Sequence, residues 1–222
     1  MTVRPVTALA ATVALATCAT VLPLAPAAAD PLPSTSGLSA LRQDAVTRAD
    51  RALNTPRSFA KAGSDRLYES RVLPAQNRNV LEHEGSNDNR NVFNDYNGQE
   101  WCGYFIAAMW TGQNTPDPAQ FPRVPAAYPS SQAWMTDADG RFRAFTGAGQ
   151  RLPRPGDVLV WTNDSGVGGH VALVVKTLVD TRRVITVEGN VDGDEIARKS
   201  YAWDADGPTR DGKRFRGYAL RE

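Results

Sequence analysis

The residues of this 222-residue chain whose types can support covalent chemistry are Cys102, His170 and the pair Glu188 and Asn190. Thiol catalysis needs a thiolate, a base to hold or take its proton, and a polar group that orients the base. Cys102 opens the apolar run "CGYFIAAMW" after a polar loop. That places it in the first turn of a buried helix, where the helix dipole favours an ionised side chain. The alternative is a buried cysteine acting as a small hydrophobe. A structural cysteine would sit more naturally mid-helix, as Ala107 or Ala108 does. Gly103 is read as keeping the approach to the thiol open, and Trp101 as an apolar substrate-binding wall beside it.

The chain has two histidines, which narrows the choice of base. His83 lies in "LEHEG", between two glutamates in a polar loop, and reads as solvated. His170 follows the glycine-rich "GVGG" and begins "VALVV", so it stands at the first residue of a strand, facing a cleft. Glu188 and Asn190 fall two apart in "TVEGN" on the next strand and share a face if the chain is extended. A hairpin between these strands brings residues 188–190 opposite His170. A carboxylate or an amide there can accept the imidazole Nδ1–H and fix the tautomer. The Cys102 backbone N–H is one donor for an oxyanion, and Gln99 is the candidate for the second.

Positioning these residues calls for helices first and a sheet afterwards. Leu38, Leu41, Ala45, Ala49, Ala52 and Leu53 recur three or four apart and predict an amphipathic helix from Gly37 to about Leu53. A second short helix is expected near 58–68, and helical turns around 130–136. The buried helix runs from Cys102 to Gly112, where "NTPDP" cannot continue it. Beyond Pro155, "GDVLVW", "HVALVVKTL", "RRVITVEGN", "ARKSYAW" and "FRGYAL" read as successive antiparallel strands. The expected class is α+β, with the nucleophile at a helix N-terminus packed on an antiparallel sheet.

The first 29 residues read as a secretory signal: Arg4, an Ala/Val/Leu stretch, and Ala27-Ala28-Ala29 before the cut. "LATC" also has the look of a lipobox at Cys18, although Thr17 suits it poorly. Residues 30–78 read as a helical N-terminal arm and 79–222 as the catalytic domain. Removal of the signal takes Cys18 with it and leaves Cys102 unpaired, the pattern of a reactive thiol in an exported chain. The formal charge is +1, and no basic run offers a footprint for nucleic acid. No later stretch is long enough to span a membrane, so none is expected after cleavage, and the protein is expected as a monomer. "DADG" occurs at 137–140 and 204–207 without the later ligands of a calcium loop, and no cofactor or metal is expected.

In this order, the Trp-Cys pair heading an apolar helix, "PRPGDVLVW", "GGHVALVV" and "VEGN" resemble the CHAP family, the cysteine, histidine-dependent amidohydrolases/peptidases. "EGSNDNRNVFNDYNGQEWC" and "AWMTDADGRF" are similar to the family's segments before the nucleophile and before the Pro-Gly-Asp strand. The resemblance covers roughly residues 80–222. It implies a papain-like fold and cleavage of amide bonds in bacterial peptidoglycan, with stem peptides as the partner, outside the cell at the wall. It also implies roles: Cys102 the nucleophile, His170 the general base, Glu188 its orienting group and Asn190 an auxiliary polar residue. The aspartates that hold calcium around the cysteine in better-known members are missing, as is any wall-binding module. The rival reading is a catalytically silent wall-binding module of the same fold.

Overall fold

In a computed structural model of the protein, the described residues are 36–54, 78–79, 100–113, 116–121, 123–136, 140–191, 195–210 and 212–222. The signal segment, the helix expected near 58–68, His83 and Gln99 lie outside them.

Helix α1 spans Ala40–Asn54 and helix α2 spans Cys102–Thr111. Ala45, Val46, Ala49, Ala52 and Leu53 of α1 are buried in one core with Phe105, Ile106 and Met109 of α2. The small residues on α1 let the two helices approach closely. Burying each of the three larger α2 side chains stabilises the fold by roughly 2 kcal/mol. One position departs from the amphipathic pattern. Leu41 is 42% exposed, whereas Arg42 is buried and pairs with Asp157 at 2.8 Å. Helix α2 ends at Gly112, whose left-handed backbone (φ 75°) directs its N–H onto the Ala108 carbonyl at 2.7 Å.

Gly103 has a different purpose from the one expected. A Cβ there would lie 2.0 Å from the Tyr128 carbonyl oxygen and 2.8 Å from that of Pro129. The glycine therefore lets the 128–129 backbone press against the first turn of α2 rather than clearing a path for a ligand.

Among the described residues, seven strands form one antiparallel sheet: β1 (Arg78–Asn79), β2 (Phe142–Ala144), β3 (Val158–Asn163), β4 (Gly169–Leu178), β5 (Arg183–Val191), β6 (Glu195–Ala202) and β7 (Lys213–Ala219). Their spatial order is β1-β6-β5-β4-β3-β7-β2. The five longer strands coincide with the five hydrophobic runs. The short edge strands β1 and β2 carry no such run, and β1 straddles the expected boundary at 78/79.

Both faces of the sheet are covered. Val158, Val160, Val171, Leu173 and Val187 join the helices in the first core. Leu159, Trp161, Ala172, Val174 and Val184 join Trp203, Phe215 and Tyr218 in a second core on the opposite face. Strands buried on two faces read as unbroken apolar runs, which is why "VLVW" and "VALVV" show no polar alternation. The architecture is α+β.

Candidate active site

Cys102 is the first residue of α2 and is 1% exposed, its thiol free. It borders a cleft of about 370 Å³ whose walls are Pro129–Gln132 and the turn Gly166–Gly169. The 3-10 turn Ser131–Trp134 carries the first wall and is held by the Trp134 indole N–H on the Tyr128 carbonyl at 2.9 Å. Gln132 joins the two walls, its Nε2 donating to the carbonyls of Gly166 and Gly168 at 2.7 Å each.

His170 lies in β4, one residue past its start and opposite Trp161 of β3. Its Nε2–H donates to Glu188 Oε2 at 2.9 Å, and the Cys102 thiol lies near enough to the ring to favour its charged form. With Nε2 committed to the carboxylate, Nδ1 is the nitrogen available to the thiol. This reverses the assignment expected from the sequence, in which Nδ1–H faced the carboxylate. Burial opposes the charged ring, but the hydrogen bonds and charges of Cys102 and Glu188 outweigh it and raise the His170 pKa above its ordinary 6.5. The Trp161 indole, with its ring centroid 6.0 Å away, shields one side of the imidazole.

Glu188 is wholly buried and surrounded by donors. Oε2 accepts from His170 and from Arg210 Nη1, the latter at 2.7 Å. Oε1 accepts from Thr186 Oγ1 at 2.5 Å and from the Tyr201 hydroxyl at 2.8 Å. Burial by itself would raise this carboxyl. The His170 hydrogen bond and charge, the Arg210 charge and the Thr186 hydroxyl instead hold it down at about 2. Burial and the neighbouring Glu188 charge push the Tyr201 phenol far up, so it stays a neutral donor.

The remaining expected residues fall in different places. Asn190 lies within the register shift between Glu188 and Val191 and has φ 58°. The alternation that would put it on the face of Glu188 breaks at that bulge. Trp101 has no exposed surface; its ring packs against Gly189, where a Cβ would sit 2.5 Å from Cζ3. It is part of the floor beneath the site rather than a wall open to substrate. "DADG" at 204–207 is an Asx turn, with the Asp206 N–H on Asp204 Oδ1 at 3.1 Å.

Thr186, Tyr201 and Arg210 were not anticipated. Thr186 was accessible to the same period-two argument as Glu188, two residues on. Tyr201 and Arg210 come from β6 and from the segment after it, where no local pattern marks them. The arrangement joins a thiol, an imidazole and an ionised, fixed carboxylate at the edge of an open cleft, as acyl transfer through a thioester requires.

No curated protein and no solved structure shows significant similarity to the chain. Residues 94–190 match the family model of the CHAP domain, a stretch that begins ahead of Cys102 and ends at Asn190. This matched stretch, which is similar to the CHAP domain, holds Cys102, His170 and Glu188.

Proposed function

We propose that the protein is an exported, papain-like thiol hydrolase that cleaves amide bonds in bacterial peptidoglycan, as a stem-peptide endopeptidase or an N-acetylmuramoyl-L-alanine amidase. The observation that carries this reading is the juxtaposition of Cys102 with the hydrogen-bonded pair His170–Glu188 within the matched CHAP stretch. The Cys102 thiolate adds to the scissile carbonyl while the proton rests on His170 Nδ1. The first-turn N–H groups of α2 have no partner within the helix, so the Cys102 N–H is placed to stabilise the oxyanion. His170 then protonates the leaving amine, and the C–N bond breaks to leave a thioester. Water, deprotonated by the same nitrogen, hydrolyses the thioester and returns the thiol. Glu188 holds the ring through Nε2 and stabilises its positive charge in both half-reactions.

The test is mass spectrometry of soluble fragments released from purified peptidoglycan by the mature protein, with Cys102→Ala alongside. New amine termini produced by the wild type alone are expected, and their position names the bond. Release by Cys102→Ala at the wild-type rate would overturn the mechanism. Binding to walls of several cross-link types without release would favour the silent binding module.

A further inference from the structure

We infer that Arg210 is a positioning residue of this site, supplied from outside the stretch that matches the family model, which fixes the Glu188 carboxylate on His170. The inference rests on the thiol–imidazole–carboxylate reading of the site, though not on peptidoglycan being the substrate.

Arg210 Nη1 donates both to Glu188 Oε2 and to the Tyr201 hydroxyl, at 2.7 and 3.0 Å. Tyr201 in turn donates to Oε1, so Arg210, Tyr201 and Glu188 form a closed ring of hydrogen bonds. Oε2 is the oxygen that also takes His170 Nε2–H. A carboxylate gripped on both oxygens has one orientation left, and it is the one that meets the imidazole. The grip is itself anchored. The Trp161 indole N–H donates to the Pro208 carbonyl at 2.8 Å, and Trp203 is sunk in the second core. These contacts fix the segment that ends in Arg210. Trp161 thus borders the histidine and also holds the loop carrying the arginine.

The charges run in alternation. Among the described residues, His170 from β4, Tyr201 from β6 and Arg210 from the following segment meet the carboxylate, with the Cys102 thiol beyond the ring. A lone buried carboxylate is costly to ionise. The attraction of Glu188 outweighs burial and raises the Arg210 pKa, so the guanidinium stays charged and its support of the carboxylate persists across the working pH range. Removing its charge eases protonation of Glu188. While Glu188 remains ionised, removal also leaves its negative charge less compensated beside the imidazolium.

The test is the pH dependence of Cys102 alkylation by iodoacetate, whose carboxylate is drawn by the imidazolium, located by peptide mapping, in the full chain and its Arg210→Gln and Arg210→Lys variants. This readout needs no wall substrate. In Arg210→Gln both edges of the bell-shaped alkylation curve are expected to move up, because removing a positive charge from the cluster favours the protonated form of each group. Arg210→Lys keeps the charge, and its edges are expected near those of the wild type. Arg210→Gln curves whose edges coincide with the wild type, whatever their height, would overturn the inference. A merely structural loss lowers the height and leaves the edges in place. Absence of fragment release by the wild type together with shifted edges would sink the peptidoglycan reading and leave Arg210 its role.

Discussion

Arg42 of α1 and Asp157, immediately ahead of β3, form an ion pair 2.8 Å long in which both side chains are only 1% exposed. The same guanidinium donates to the Pro155 carbonyl at 2.7 Å. Asp157 also accepts backbone N–H groups from Arg154 and Arg221. The pair ties the first helix to the strand that runs beside the histidine strand.

Replacing Arg42 by Met is expected to cost about 3–5 kcal/mol, because it strands a buried carboxylate rather than deleting a pair. Urea unfolding at neutral pH measures this. Burial pushes the Asp157 carboxyl up, with Arg42 the strongest opposing influence. Without Arg42 the folded protein takes up the proton still more readily than the unfolded chain. The penalty is therefore full at high pH and shrinks on acidification. A gap from wild type that stayed constant down to pH values near the ordinary carboxyl range would contradict this account.

Gly103→Ala should reverse the usual helix rule. Alanine at an exposed interior helix position gains about 1 kcal/mol over glycine. Here the added methyl meets two backbone carbonyls, at 2.0 and 2.8 Å, and neither can swing aside as a side chain does. A loss of roughly 1–3 kcal/mol or more is expected from overpacking. Because residues 128–129 lead into the cleft wall, hydrolysis should fall as well. Thermal unfolding and initial rates on the same sample check both halves, and a stabilised Gly103→Ala would show that the contact is not there.

The pH dependence of stability should have two flanks. Glu188 is held at about 2, below its ordinary 4.5, so its contribution is present above 4.5 and is lost as pH falls from there towards 2. His170 is raised above 6.5, so its contribution is full below 6.5 and disappears as pH rises through that higher value. Glu188→Gln should flatten the acid flank. It should also cut kcat/KM by about 10²-fold or more, since a neutral amide does not stabilise the imidazolium. Denaturant midpoints across a pH series give the first result, and an acid flank unchanged in Glu188→Gln would refute the assignment.

How much of this was legible in the sequence follows burial. The central strands β3 and β4 announced themselves because both faces of the sheet are packed there, leaving the near-unbroken apolar runs "VLVW" and "VALVV". Cys102, His170 and Glu188 were legible from residue type, order and period. Contacts made at a distance were not. Arg42 looked like a solvent residue because its partners lie 113 and more residues away, and Leu41 took its place in the amphipathic pattern. Asn190 followed the alternation only until the bulge. Trp101 and Gly103 were read as facing a ligand, whereas both serve the packing under and beside the thiol. Arg210 stands in the turn-rich stretch after β6, where type and spacing carry no instruction.

The two-sided packing of the sheet bears on when the thiol becomes dangerous. Cys102 arrives with the helical layer, whereas Glu188 and His170 are set among Trp161, Tyr201 and Arg210 on the side of the second core. Neither layer alone assembles the triad. Under the proposed mechanism, a chain with only one layer docked holds Cys102 apart from its base. Reactivity of the proposed kind thus requires both layers to be docked.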